Sequence, residues 1–233
     1  MGGVGGLWAD LTDLVLPTVC AGCRDRRDGL RHGVCPDCVA ELSALRPRPV
    51  RPVAASVGLP SCHALGPYAG PLREALIAYK DHGRHGLARP LGGLLAGVVA
   101  TAVDPARPVT LVPVPDTASA ARARHGDHLA RLARHCAHRL RRAGWSVRVR
   151  RPLRALPRPD SVGLDSVARA AAAGAAFRVK ARVGGPDGAT VVVLDDIVTT
   201  GSTLAAVSRA LFGVGLAPAG AAVLAATVKR HPR

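Results

Sequence analysis

Aromatic side chains are scarce in this sequence: Trp, Tyr and Phe together make up 3% of 233 residues. Proteins that hold single-stranded nucleic acid by stacking its bases need such rings, so this chain is poorly equipped for that mode. Lysine is nearly absent too, occurring only at Lys80, Lys180 and Lys229. The formal charge of +16 is therefore carried almost wholly by arginine. Such an excess invites a nucleic-acid partner, although the accompanying wealth of Ala, Gly, Pro and Val fits a GC-rich coding sequence equally well. No apolar run is long enough to span a membrane; the longest candidate, residues 87–103, is interrupted by Arg89 and Pro90. The first residues lack the basic start and apolar core of a secretory signal, so a cytoplasmic protein is the expectation. Neither an internal repeat nor a DNA-reading helix pair is evident, which leaves a transcription regulator without support.

What is present centres on residues 188–204, GATVVVLDDIVTTGSTL. The run from Thr190 to Leu194 is β-branched and apolar, as in a strand buried on both faces of a parallel sheet. Asp195 and Asp196 follow, then Thr199, Thr200, Gly201, Ser202 and Thr203. From Leu204 the spacing turns helical, with Leu204, Val207 and Leu211 on one face and Gly215 as a stop signal. At such a strand–loop–helix junction the backbone N–H groups and the helix dipole converge on an anion. Gly201 would let the chain approach a phosphate, and the four hydroxyls add donors. The two aspartates repel phosphate but suit hydroxyl groups or Mg²⁺. A phosphorylated ribose satisfies both ends. An ordinary βα turn with an acidic N-cap is the plainer alternative; the complete set of features in order favours the ligand site.

Four of the six cysteines form two C-x₂-C pairs, Cys20/Cys23 and Cys35/Cys38. Paired thiolates at this spacing can converge on a tetrahedral Zn²⁺ that has no open position, hence a structural one. Two disulfides or four unlinked thiols are the rivals, and a cytoplasmic setting disfavours the first. His32 is either a substitute ligand or a solvated side chain. Cys62 and Cys136 read as buried residues, the latter on a helix face with Leu129, Leu132, Ala133 and Leu140.

The remaining punctuation suggests three parts. Residues 1–48 hold a short amphipathic helix, with Leu7, Leu11, Leu14 and Val15 on one face, and the zinc module. Residues 49–60 form a Pro-rich connector expected to stay extended. Residues 61–233 form the larger domain. Helices are expected over 69–80, 87–103 and 118–142, the last with Arg131, Arg134, Arg139, Arg141 and Arg142 on its outer face. Strands are expected at 109–115, 147–150 and 177–179. This alternation means an α/β fold with a doubly wound, mainly parallel sheet, whose ligands bind beyond the carboxyl ends of the strands. Lys80 could lie near an anion, though a solvated lysine is the plainer reading.

Residues 191–203 resemble the phosphoribosyl diphosphate (PRPP) binding loop of type I phosphoribosyltransferases. The cysteine pairs, the segment Gly66-Pro67-Tyr68-Ala69-Gly70-Pro71-Leu72-Arg73, Lys80 and Val112-Pro113-Val114-Pro115 narrow the resemblance to the ComF family of competence-type proteins. The resemblance implies a PRPP-binding fold with a zinc-finger-like N-terminal module and a role in handling incoming single-stranded DNA with the competence machinery. It implies that Asp195 and Asp196 act on the ribose hydroxyls and Mg²⁺ as the catalytic acids, and that residues 199–203 hold the 5′-phosphate. Val112, Pro113, Val114 and Pro115 stand where the family has its pyrophosphate loop. The chain departs from the family pattern at Arg124-His125-Gly126-Asp127-His128, at Ser161-Val162-Gly163-Leu164 and near Ala172. His125 and His128 could take over acid–base work there, or be solvated. The leading expectation is a phosphoribosyltransferase that transfers phosphoribosyl from PRPP to a nitrogen nucleophile. The alternative is a non-catalytic factor that handles single-stranded DNA and uses the fold as a scaffold or PRPP sensor.

Overall fold

The computed structural model describes residues 19–52, 58–124, 126–156, 176–180 and 188–227. The helix expected near residue 7, His125, the 161–164 stretch and Ala172 lie outside them. In chain order, helix α1 (Pro36–Ala44) closes the cysteine module, and β1 (Arg48–Val50) pairs antiparallel with β2 (Cys62–Pro67). Helices α2 (Gly70–Lys80) and α3 (Ala88–Ala102) lead to β3 (Val109–Pro113). Two further helices, α4 (Ala118–Ala123) and α5 (His128–Arg142), precede β4 (Val147–Val149). Strands β5 (Leu153–Ala155) and β6 (Phe177–Val179) form a separate antiparallel pair. The chain closes with β7 (Thr190–Val198), α6 (Ser202–Phe212) and β8 (Pro218–Ala226).

The main sheet has the order β1-β2-β8-β7-β3-β4, and every neighbouring pair from β2 to β4 is parallel. The fold is therefore the mixed α/β, mostly parallel type expected. Its centre is dry: Val192, Val193, Leu194 and residues 221–225 have no more than a trace of exposure. Helices α3 and α5 cross on one face, while α6 and the β5–β6 pair cover the other. The α3–α5 crossing is set by Gly92, where a Cβ would come within 2.5 Å of His135 Cβ and 3.0 Å of the Leu132 carbonyl. Only a glycine lets the two helices approach so closely.

Two expectations change. The single helix over 118–142 is two: Gly126 takes φ +129°, and Asp127 starts α5 by accepting the Ala130 N–H at 2.8 Å. A side-chain N-cap of this kind satisfies an orphan donor and restarts a helix after a break. Strands also form at β2 and β8, where no strand was expected, and β8 lies beside β7 in the centre of the sheet. The connector begins within this sheet, as edge strand β1.

The cysteine module is packed onto the larger domain and shares its core. Arg84, between α2 and α3, donates to the carbonyls of Val19 (2.6 Å) and Gly33 (3.3 Å), one in each turn of the module. Gly22 is squeezed between the module and α2, since a Cβ there would lie 2.7 Å from Cys38 Sγ and 3.3 Å from Pro71 Cβ.

Candidate functional site

The site forms where β7 and β3 end and α5 begins. In an extended strand successive side chains point to opposite faces, so Asp195 and Asp196 diverge. Asp196 turns to the face carrying α2 and α5. Its Oδ2 lies 2.6 Å from Lys80 Nζ and 3.1 Å from His128 Nε2. The other ring nitrogen of His128, Nδ1, lies 2.7 Å from Asp116 Oδ2, and Arg124 Nη1 reaches Asp116 Oδ1 at 3.4 Å. Three cations and two carboxylates thus alternate: Lys80, Asp196, His128, Asp116, Arg124. Each buried charge has a partner of opposite sign, the condition for burying charge at all. The backbone carbonyl of His128 in turn accepts the buried Tyr79 hydroxyl at 2.7 Å, which ties α5 to α2.

This network sets the protonation states. Burial pulls the His128 imidazole down, but its bonds to Asp116 and Asp196 outweigh that and push it up to about 9. It is an imidazolium at neutral pH, with both ring nitrogens donating. Burial likewise opposes the charge on Lys80, and Asp196 more than restores it. Asp196 is held well below the usual carboxylate range: burial acts against ionisation, and His128 and Lys80 overcome it. Asp195 behaves oppositely. Burial, followed by the charge of Asp196, raises its carboxyl well above the ordinary value. Its Oδ1 accepts the Asp196 N–H at 2.9 Å. On its face of the sheet Cys62 is also buried, and burial plus the nearby Asp195 pushes that thiol up to about 12.

Past β7 the chain presents Thr199, Thr200 and Ser202 to solvent, with Thr203 half-buried. Thr200 Oγ1 donates to Ser202 Oγ at 3.1 Å and accepts from the Ser202 N–H at 3.4 Å. Gly201 caps α6 in the left-handed region, φ +78°. The first-turn N–H groups of a helix have no intrahelical acceptor, so this loop aims donors and a positive dipole end outward. A Cβ at Gly201 would meet Leu59 Cδ2 at 3.1 Å and Pro52 Cβ at 3.2 Å. The glycine is required by its left-handed backbone and by the connector packed on it.

Val112, Pro113 and Val114 are buried at the end of β3, and Pro115 is half-buried. The two prolines have no N–H, and that of Val114 is donated to the Leu194 carbonyl at 2.9 Å. Just beyond, the Thr117 hydroxyl caps α4 by accepting the Ala120 N–H at 3.2 Å. Lys80 and His128, each carrying a solvated alternative in the sequence, both lie against Asp196, and Asp116 was not singled out at all. Its signal was the position directly after the strand-ending prolines.

The four module cysteines converge, with all Sγ atoms within 4.8 Å of one another. Tetrahedral zinc–thiolate bonds of about 2.3 Å place sulfurs roughly 3.8 Å apart, so the cluster could hold a metal such as zinc. The backbone agrees. Cys20 Sγ accepts the N–H groups of Gly22 (3.3 Å) and Cys35 (3.2 Å). Burial alone would raise the Cys20 thiol, but N–H donation from Cys35, Cys23 and Gly22 lowers it to about 6. That is a thiolate at neutral pH, the form a metal takes. No helix is long and apolar enough to cross a membrane among the described residues.

No curated protein matches the chain. The family model of the phosphoribosyl transferase domain matches residues 156–232, the stretch that holds β7, the hydroxyl loop, α6 and β8. That match, placed on this geometry, supports a phosphoribosyltransferase-type, PRPP-binding fold of the type I kind.

Proposed function

We propose that the chain binds PRPP at the carboxyl end of β7 and transfers its phosphoribosyl group to a nitrogen nucleophile. The observation that carries this reading is the junction itself: two acids of unequal ionisation, then a hydroxyl-rich loop capping α6. Residues 199–203 hold the 5′-phosphate at the helix N-terminus. Asp195, which has few partners of its own, meets the ribose hydroxyls. Asp196 is already committed to Lys80 and His128 and keeps those two cations in place beside the sugar. The pyrophosphate is better served by the donors that follow Pro115, at Thr117 and the start of α4, than by residues 112–115. Mg²⁺, when bound with PRPP, supplies charge for the leaving group.

In the reaction the nucleophile's lone pair forms the bond to C1 as the C1–O bond breaks, and that electron pair leaves on the pyrophosphate. The chain's part is to hold the sugar while positive charge develops near C1, with the ionised Asp196 close by. The place of this chemistry in DNA uptake and competence rests on the ComF resemblance alone. Titration calorimetry with PRPP and Mg²⁺, followed by pyrophosphate release against a panel of bases, amines and DNA, tests the proposal. Binding without release under any acceptor would favour the PRPP sensor. No binding would sink both.

A further inference from the structure

A second cationic site lies on the outer side of the α3–α5 crossing. A cavity of about 800 Å³ opens there, with Arg89, Pro90 and Gly93 of α3 on one wall and Arg134, Arg139 and Arg142 of α5 on the other. His135 and His138 of α5 stand between the arginines, and His32 of the cysteine module closes one side. Among the described residues no carboxylate lines it. Among the described residues none of the four arginines has an acidic partner, whereas the network at Asp196 pairs every charge. Unneutralised guanidinium groups around a concavity focus a positive potential into it. His135 registers that potential: burial first, then Arg134, Arg89 and His138, lower its imidazole from the ordinary value.

The shape is fixed by the fold. The Gly92 contact sets how near α3 and α5 lie, and Gly93 leaves part of the α3 wall without a side chain. Arg84 pins the turn that carries His32, through the Gly33 carbonyl. That turn is held in shape by left-handed residues at His32 (φ +52°) and Gly33 (φ +76°). The distance from the Asp196 site is also fixed: from His128 to Arg139 is eleven residues of α5, roughly 16 Å along the helix axis.

We propose that this cavity is a second ligand site, separate from the one at β7, that takes a compact anion with several phosphates. The guanidinium fork matches phosphate oxygens in pairs, and the volume is that of a small-ligand pocket. A single strand held by base stacking favours the large rings of Trp, Tyr and Phe, and none of these lines the cavity among the described residues. Because His32 belongs to the cysteine module, loss of a metal held by the four cysteines should also open this site.

The test uses the full chain and inorganic tripolyphosphate, followed by calorimetry at moderate salt. With ribose 5-phosphate, which carries a single phosphate, filling the loop at β7, one equivalent of tripolyphosphate should still bind. Arg139→Gln with Arg142→Gln should weaken it at least tenfold, and His32→Ala a few-fold, while Arg178→Gln on β6 should leave it unchanged. Metal removal with a chelator should weaken it as His32→Ala does. Three results would overturn the proposal: no tripolyphosphate binding, displacement by ribose 5-phosphate, or equal losses in the Arg178 variant and the double variant. So would binding of single-stranded oligonucleotides that grows with length while tripolyphosphate does not bind. None of these depends on whether PRPP turns over.

Discussion

Lys80 Nζ sits 2.6 Å from Asp196 Oδ2, joining the last residue of α2 to the second acid of β7. The ammonium is largely withdrawn from water and the carboxylate almost wholly so. Breaking a buried pair from one side leaves an uncompensated charge, which costs roughly 3–5 kcal/mol when nothing else compensates. Here His128 remains on the same oxygen, so Lys80→Met should cost less, about 2 kcal/mol. Denaturant unfolding at pH 7 measures it. A variant as stable as the parent would mean that the pair is not formed in solution.

His128 gives the same network a pH signature. Its imidazolium is favoured in the fold, up to about 9 against an ordinary 6.5. A raised cationic group contributes its full stabilisation below the unfolded value and loses it as pH rises through the folded one. The chain should therefore lose stability between about pH 6.5 and 9, on the order of 3 kcal/mol in all. His128→Asn should be less stable at pH 6 and flat over that window. Equal slopes for parent and variant would place the titration elsewhere.

Much of this was legible in the sequence, for identifiable reasons. The run at 190–194 and the acids after it combine β-branched periodicity with charge and glycine in fixed order, and β7 and α6 form there. The strands at β2 and β8 escaped notice because Ala, Gly and Pro carry little strand propensity. The sequence of β8, PAGAAVLAA, becomes a strand through burial between β7 and β2. Partnerships were the least legible. Lys80, Asp116, His128 and Asp196 are spread over 117 positions of sequence, and only the parallel crossovers bring them together. The break at Gly126 was hidden because Ala- and Arg-rich flanks propagate a helical pattern through it.

The metal prediction is one zinc per chain. Cys23→Ser should release it, and because ligation contributes directly to folding the module should loosen. Gly22→Ala probes the same module sterically. With a Cβ 2.7 Å from Cys38 Sγ, either the sulfur or the backbone must move, and the cost should be on the order of 1–3 kcal/mol. Elemental analysis and melting of the purified chain follow both. A metal-free parent with intact disulfides would end the idea.

Gly201 yields a prediction that separates packing from ligand contact. Its left-handed backbone and its contacts with Leu59 and Pro52 make any side chain strained. Gly201→Ala should destabilise the ligand-free chain by about 1–2 kcal/mol, with PRPP binding lost as the loop shifts. An alanine variant that melts like the parent yet fails to bind PRPP would instead place the phosphate against this residue.

The two acids should fail in different ways. Asp196→Asn removes the carboxylate that holds Lys80 and His128, and leaves two buried cations facing a neutral amide. The ligand-free chain should lose about 2–4 kcal/mol, and PRPP binding should fall as a consequence. Asp195→Asn removes a carboxyl whose charge burial and Asp196 already oppose. Its effect on stability should stay within about 0.5 kcal/mol. Its effect on ligand should not: losing one hydrogen bond between this carboxyl and a ribose hydroxyl costs roughly 0.5–1.5 kcal/mol, on the order of two- to tenfold in affinity. Ribose 5-phosphate and PRPP should both register that loss, whereas inorganic phosphate, which needs only the hydroxyl loop, should bind the Asp195 variant as it binds the parent. Melting curves without ligand and titrations with all three ligands give the two patterns. If the stability loss fell on Asp195 and the affinity loss spared it, the division of labour between these neighbouring acids would be wrong.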